Sequence, residues 1–344
     1  MTTTSGCFSS FDIARLPRRM CRAVVGLGLT TLLAAGASHA APVYFAATLS
    51  GAAESPANAS PGTGNAIVTY DSATQLLTVN ANFSGLTGTT TASHIHCCTA
   101  VANTGTAGVA TQTPTFAGFP LGVTSGTYQA TFDLTQAASW NAAFITANGG
   151  TPASAEAVFA AGMLANKTYF NIHTSAFGGG EIRGFLAAQS APTIGVAFSP
   201  AIVSAGSGTS LVFTLTNPAA NTIALTGVTF TDTLTGGIGV AAGSRSVCGG
   251  TLTTTTTSIT LTGATIAAAG QCQFSVPLIN APVGTFTTTT STVSAGNAGT
   301  GNTASATLVV GNLPLIPTLS PWMMALLAGL LLVATFVYMR RRRQ

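Results

Sequence analysis

The sequence predicts an all-β protein: two tandem β-sandwich domains, flanked by a signal peptide and one C-terminal transmembrane helix. Three observations predict it. Between the termini, apolar and polar residues alternate with a period of two in short runs separated by Gly, Pro and Asn, as half-buried strands do. Charged residues make up 5% of the 344-residue chain, too few for a set of solvated amphipathic helices. The two long apolar runs lie at the ends, each beside an arginine cluster.

The first element is residues 1–40. A basic region reaches Arg22, the apolar run "AVVGLGLTTLLAAGA" follows, and "SHA" precedes Ala41. Small residues at Ser38 and Ala40 form an A-x-A-like site, so the segment reads as a signal peptide cut between Ala40 and Ala41 by signal peptidase. As a membrane span the run is short of the ~20 residues needed. Arg18-Arg19 hints at a twin-arginine signal, though Met20, Cys21 and Arg22 fit that pattern poorly.

Residues 43–187 form the first domain. "AIVTYD", "QLLTVNANFSGL", "SGTYQATFDL" and "KTYFNIHT" read as strands, and "SWNAAFITANGG" and "SAEAVFAAGMLANK" as short helices. After a linker at 188–192, residues 193–310 alternate again in "SLVFTLTN", "NTIALTGVTFTDTL", "TTSITLTG", "CQFSVPLI", "GTFTTTTSTVSA" and "SATLVVG". Short strands at this spacing suggest an immunoglobulin-like sandwich acting as a spacer. Cys248 and Cys272 are expected to pair in it, a cross-link worth about 3 kcal/mol on the loop-entropy estimate. Residues 321–339 carry no charge and are just long enough for one membrane span. Arginines follow from Arg340 to Arg343, and cationic flanks stay cytoplasmic, leaving the body outside.

One short stretch concentrates chemistry. "TASHIHCCTA" holds His94, His96, Cys97 and Cys98. On a strand His94 and His96 share a face, with Cα atoms about 6.6–6.8 Å apart, close enough for two imidazoles to meet at one ion. In "TYFNIHT" the same alternation puts Tyr169, Asn171 and His173 together, with Phe170 and Ile172 opposite. "EIRGFL" returns after a glycine turn with Glu181 and Arg183. Two readings stay open. In one, His94, His96 and His173 bind a mononuclear copper or zinc ion, with Glu181 as a further ligand or orienter and Cys97 or Cys98 as substitutes. In the other, Asn171, Glu181 and Arg183 join His173 in a structural hydrogen-bond and ion-pair network. A dinuclear copper–zinc site of the superoxide dismutase kind needs more histidines than remain after processing. Cys97-Cys98 can form a vicinal disulfide, stay as thiols or pair between molecules; disulfide geometry disfavours adjacent residues.

The same residues exclude other classes. Between Ala41 and Met339 three basic residues (Lys167, Arg183, Arg245) stand against six acidic ones (Glu54, Asp71, Asp133, Glu156, Glu181, Asp232), a net charge of −3. The formal +4 of the whole chain therefore describes its ends, and no clustered Lys/Arg is present to neutralise nucleic-acid phosphates. No G-x-S-x-G elbow appears, and the glycines of "GTGNAIVTYD" precede a strand, whereas phosphate loops precede helices.

Three resemblances follow from quoted residues. "GAAESPANASPGTGNAIVTYD", "SHIH" and "TYFNIHTSAFGGGEIRGFL" resemble the CHRD domain of chordin and many microbial secreted proteins, which implies a β-sandwich or barrel-like fold and supplies no enzyme activity. Cys97-Cys98 depart from the Gly-rich loop that many members carry after the second histidine. "LTNPAANTIALTGVTFTDTL", "CGGTL" and "GQCQFSVPL" resemble conserved repeat domains of bacterial surface proteins, implying a structural module. Ile316, Pro317, Thr318 and Leu319, followed by Trp322, the apolar span and the arginines, resemble the IPTL-CTERM sorting signal across residues 316–344. That resemblance implies cleavage by an exosortase-type enzyme, with the body first periplasmic and membrane-anchored, then at the cell surface. The expectation is an exported, non-enzymatic binding or matrix module whose partner is a surface polysaccharide or protein. The alternative is the metal-binding module or a metal-dependent enzyme using His94, His96 and His173.

Overall fold

A computed structural model describes residues 40–311 and 321–342. The expected signal peptide, apart from Ala40, and the Ile316–Leu319 motif lie outside the described residues. Among the described residues the fold is all-β apart from two α-helices and short 3-10 turns in the first module and one apolar helix near the C-terminus.

The first module contains β1 (Val43–Ser50), β2 (Thr63–Asp71), β3 (Leu76–Ser84), β4 (Thr90–His96), β5 (Gly126–Asp133), α1 (Ala142–Ala147), α2 (Pro152–Leu164), β6 (Tyr169–Thr174), β7 (Ile182–Phe185) and β8 (Ala187–Gln189). Its strands form one sheet in the order β4-β6-β7-β1-β2-β3-β5, with β8 also on β1. The period-two pattern decides which face is inside: along β3, Leu77, Val79, Ala81 and Phe83 are buried, whereas Leu76 and Asn82 face solvent. The β2–β3 reversal is closed by Asp71, whose carboxylate accepts from the backbone N–H groups of Ala73 and Thr74. Helix α2 begins with a capping box between Thr151 and Ser154 and with Pro152 in its first turn, where a missing N–H costs nothing. Asn166 follows it at φ 54°, in the left-handed region that ends helices.

The core lies between the inner sheet face (Phe45, Val68, Val79, Ile95, Phe170, Ile172) and a cover made by α1, α2 and the β4–β5 connection, which contribute Phe144, Phe159, Met163 and Phe116. That connection also satisfies the free edge of β4. Ala110 and Thr111 donate to the Ile95 carbonyl, Phe116 to the Ser93 carbonyl and Cys97 to the Gly108 carbonyl. Cys97 and Cys98 are joined as a vicinal disulfide, one of the three states the sequence left open; the peptide between them is cis. Their sulfurs pack on Gly162 of α2, the one place on that helix without a side chain to keep them out.

The second module contains β9 (Thr193–Ser199), β10 (Ile202–Ser204), β11 (Ser210–Thr216), β12 (Leu225–Thr233), β13 (Gly239–Val240), β14 (Gly243–Val247), β15 (Gly250–Thr254), β16 (Ser258–Ile266), β17 (Gln271–Asn280), β18 (Gly284–Thr289), β19 (Ser294–Ala295), β20 (Gly299–Thr300) and β21 (Ser305–Gly311). They form sheets in the orders β13-β17-β11-β9, β14-β15-β16-β12-β19-β20 and β10-β21-β18 around a second core that includes Leu211, Phe213, Phe230 and Leu261. Cys248 and Cys272 are bonded, with Cys272 buried in this core. Helix α3 (Pro321–Arg341) contains a 19-residue stretch, Trp322–Arg340, long and apolar enough to cross a membrane.

Candidate metal centre

The sheet places the three histidines on one face. Strand β4 pairs antiparallel with β6 so that Ala92 lies opposite His173, His94 opposite Asn171 and His96 opposite Tyr169. Strand β7 continues the rows, with Arg183 opposite Asn171 and Phe185 opposite Tyr169. Side chains alternate, so His94, His96, Tyr169, Asn171, His173 and Arg183 share the face turned away from Ile95, Phe170 and Ile172.

The imidazole centroids are 5.9 Å apart for His94–His96, 5.3 Å for His94–His173 and 5.9 Å for His96–His173. One nitrogen from each ring lies within 4.8 Å of one from each of the others. One nitrogen of each ring is committed to a backbone carbonyl. His94 Nε2 meets the Pro114 oxygen at 2.7 Å, His96 Nδ1 the Ala107 oxygen at 2.9 Å and His173 Nδ1 the Gly178 oxygen at 3.0 Å. A carbonyl only accepts, so each of these nitrogens carries the proton, and the other nitrogen bears a lone pair. Those other nitrogens, His94 Nδ1, His96 Nε2 and His173 Nε2, are shielded from solvent and have no hydrogen-bond partner among the described residues. Three nitrogens bound to one ion at 2.0–2.1 Å sit about 3.5 Å apart, so the rings must draw closer to hold one.

All three imidazoles are held neutral. Burial pushes the pKa of His94 down; the Pro114 carbonyl partly offsets this, and His173 adds to it. His96 is pushed down to about 4 by burial, with His173, His94 and Arg183 working in the same direction against the Ala107 carbonyl. Burial likewise lowers His173. Neutral, tautomer-fixed imidazole is the ligand form of histidine.

Tyr169 braces the site. Its ring stacks on His96 with centroids 4.7 Å apart and planes 6° from parallel, and its hydroxyl donates to the same Ala107 carbonyl that holds His96. Arg183 packs over Tyr169, its Cζ 4.7 Å from the ring centroid.

Glu181 stands apart from the histidines and from Arg183, in contrast to both of its expected roles. It lies in the turn before β7, after Gly180 at φ 130°, so the strand alternation that would align it with Arg183 does not reach it. Its carboxylate instead accepts from the Ser60 and Thr174 hydroxyls and the Thr87 and Gly88 N–H groups. Burial opposes its ionisation, but these four donors prevail and hold its carboxyl below the usual range. Arg183 pairs with Glu54, Nε to Oε2 at 3.8 Å, and donates to the Ala53 carbonyl. Burial raises Glu54 to about 7 despite Arg183. The Asn171 side-chain oxygen has no partner among the described residues. The expected Asn171–Glu181–Arg183 network is therefore replaced by two separate clusters, and neither sulfur of Cys97-Cys98 belongs to the histidine group.

Sequence reasoning missed Glu54, because only the pairing of β1 with β7 brings the turn after β1 to Arg183. It also missed the three carbonyls, which no side-chain pattern encodes. Tyr169 was legible as a neighbour on the histidine face, but not as a brace.

Residues 45–186 match the CHRD domain family. Residues 192–310 match a domain of unknown function, DUF7933. The chain thus carries a CHRD domain followed by a DUF7933 domain. No curated protein matches it. Among solved structures, a cohesin module from a Clostridium perfringens family 33 glycoside hydrolase is 14% identical, covers 36% of this chain and 98% of its own, and gives a TM-score of 0.27. The N-terminal domain of a Streptococcus gordonii adhesin is 9% identical, with 72% of this chain and 66% of its own covered, at a TM-score of 0.26. The C-terminal domain of a Streptococcus pyogenes antigen I/II-family protein is 12% identical, with 40% and 53% covered, at 0.18.

Proposed function

We propose that this is an exported, surface-sorted bacterial protein whose CHRD domain is a non-enzymatic binding module holding one copper or zinc ion at His94, His96 and His173. One observation carries the reading: three histidines from two paired strands each offer a ring nitrogen within 4.8 Å of the others, and each ring has one nitrogen on a backbone carbonyl and one shielded from solvent without a partner among the described residues. Leaving three buried acceptors unsatisfied costs free energy that an ion returns.

The address supports the context. A signal peptide cut at Ala40-Ala41, an apolar C-terminal helix followed by arginines and an Ile316–Leu319 sorting motif fit export, a membrane stage and release to the surface. Signal peptidase and an exosortase-type enzyme are the processing partners, and the second module acts as an immunoglobulin-like spacer. A surface polysaccharide or protein is the macromolecular partner of this reading.

The test is metal content by plasma mass spectrometry. The full chain is produced with export through an oxidising compartment, purified in detergent and compared with the His94→Ala/His96→Ala/His173→Ala variant. About one copper or zinc per chain, absent from the variant, is expected. A metal-free wild-type protein that takes up neither ion on addition makes the histidines a structural cluster and sinks the proposal.

A further inference from the structure

We infer that the ion this centre holds is copper in its monovalent state, in preference to zinc or divalent copper. The inference rests on the metal reading above and adds the identity and charge of the ion, from the number of donors, their charge and what surrounds them.

The donor set stops at three. Every other candidate nearby is engaged. Glu181 accepts four hydrogen bonds in its own cradle. Glu54 is paired with Arg183. Cys97 and Cys98 are bonded to each other. The Tyr169 hydroxyl is held at Ala107. Zinc in closed protein sites takes four ligands, and with three histidines it completes its shell with water. The free nitrogens here are shielded from solvent, and His94 and His96 are buried, so the site opens poorly to a coordinated, exchangeable water. Monovalent copper is content with three nitrogen donors and needs no bound water to complete its shell, and imidazole is among the ligands that suit copper.

Charge favours the same ion. Three neutral imidazoles bring no negative charge to the centre. No carboxylate belongs to the histidine group. The charged side chain that packs towards the histidines is cationic: Arg183, itself paired with Glu54, packs on Tyr169, which packs on His96. The cost of taking an ion out of water grows with the square of its charge, so a divalent ion pays about four times as much as a monovalent one in the same site. A carboxylate or thiolate ligand would offset that cost, and the site has neither.

The test uses the full chain in detergent, freed of metal with a chelator. Monovalent copper is titrated anaerobically in competition with bicinchoninate, zinc in competition with a colorimetric zinc chelator, and divalent copper by electron paramagnetic resonance. The expected result is one monovalent copper per chain, held about a hundredfold or more tighter than zinc, with X-ray absorption reporting three nitrogen neighbours. Equal or tighter zinc binding, or a stable divalent copper signal with a coordinated exchangeable water, overturns the inference while leaving the metal reading intact. Retention of none of the three ions overturns both. Ala92→Asp offers an independent check that does not remove a histidine. Ala92 sits opposite His173 on the histidine face, so a carboxylate there adds a fourth, anionic donor, and the preference is expected to move towards zinc. An unchanged preference in that variant counts against donor number and charge as the basis of selection.

Discussion

Replacing Glu181 by Gln tests whether the turn before β7 depends on a charged acceptor. Each carboxylate oxygen serves one hydroxyl and one backbone donor: Oε1 takes Ser60 and Thr87 N–H, and Oε2 takes Thr174 at 2.6 Å and Gly88 N–H at 3.1 Å. Gln keeps the shape but turns one oxygen into an NH₂ group. The hydroxyl on that side can rotate and accept from it. The backbone N–H cannot, and is left facing another donor. Two bonds to a charged group are lost, each worth about 1.5–3 kcal/mol, and one is partly regained. A net loss of about 3 kcal/mol is expected, a large fraction of the ~5–15 kcal/mol that holds a domain together. Urea unfolding of wild type and variant at neutral pH measures it, with an unchanged m-value marking a true stability change. The sign also predicts a pH signature. The carboxyl is held below its ordinary pKa, so its contribution is present above the unfolded value and is lost as pH falls through the folded one. A variant within about 1 kcal/mol of wild type, with the same acid unfolding midpoint, would refute the cradle as an energetic feature.

Two further outcomes follow from the same geometry. Gly162→Ala should gain about 1 kcal/mol of helix propensity yet lower the thermal midpoint, because its Cβ would stand 2.8 Å from the Cys97 sulfur and closer still to that of Cys98; a stabilised variant would show that the disulfide does not seat there. In the metal-free protein, His96 has a folded pKa of about 4 against an ordinary value of 6.5, so the unfolded state binds more protons between them and stability rises with pH across that window. Its contribution is full above the unfolded value, and acidification from pH 7 to 5 removes about 2 kcal/mol through His96 alone. Glu54 works the other way, its folded pKa of about 7 making stability fall as pH rises through it. The comparison is therefore made against His96→Gln, which should lose correspondingly less stability on acidification; parallel losses would contradict the burial of that ring.

The fold class and the composition of the histidine face were legible because they depend on local periodicity. In "TYFNIHT" and "SHIH" a period of two sends every second side chain the same way, whatever the strand pairs with. Alternation in "QLLTVNANFSGL" and "SLVFTLTN" located β3 and β11 for the same reason. Glu181 shows where periodicity fails: one glycine with positive φ ends the strand logic, and the residue expected beside Arg183 turns to other donors.

What the sequence determined by itself was which residues lie on which face of which strand, and that eight of the eleven basic residues sit at the chain ends. Only the tertiary structure decided partners. Register set His173 diagonally across from His94, a long connection laid the Ala107 and Pro114 carbonyls over the outer nitrogens, and Glu54 came to Arg183 from 129 positions away. These are contacts between distant segments. Their geometry follows from pairing and packing of the whole sheet, and no local pattern encodes that.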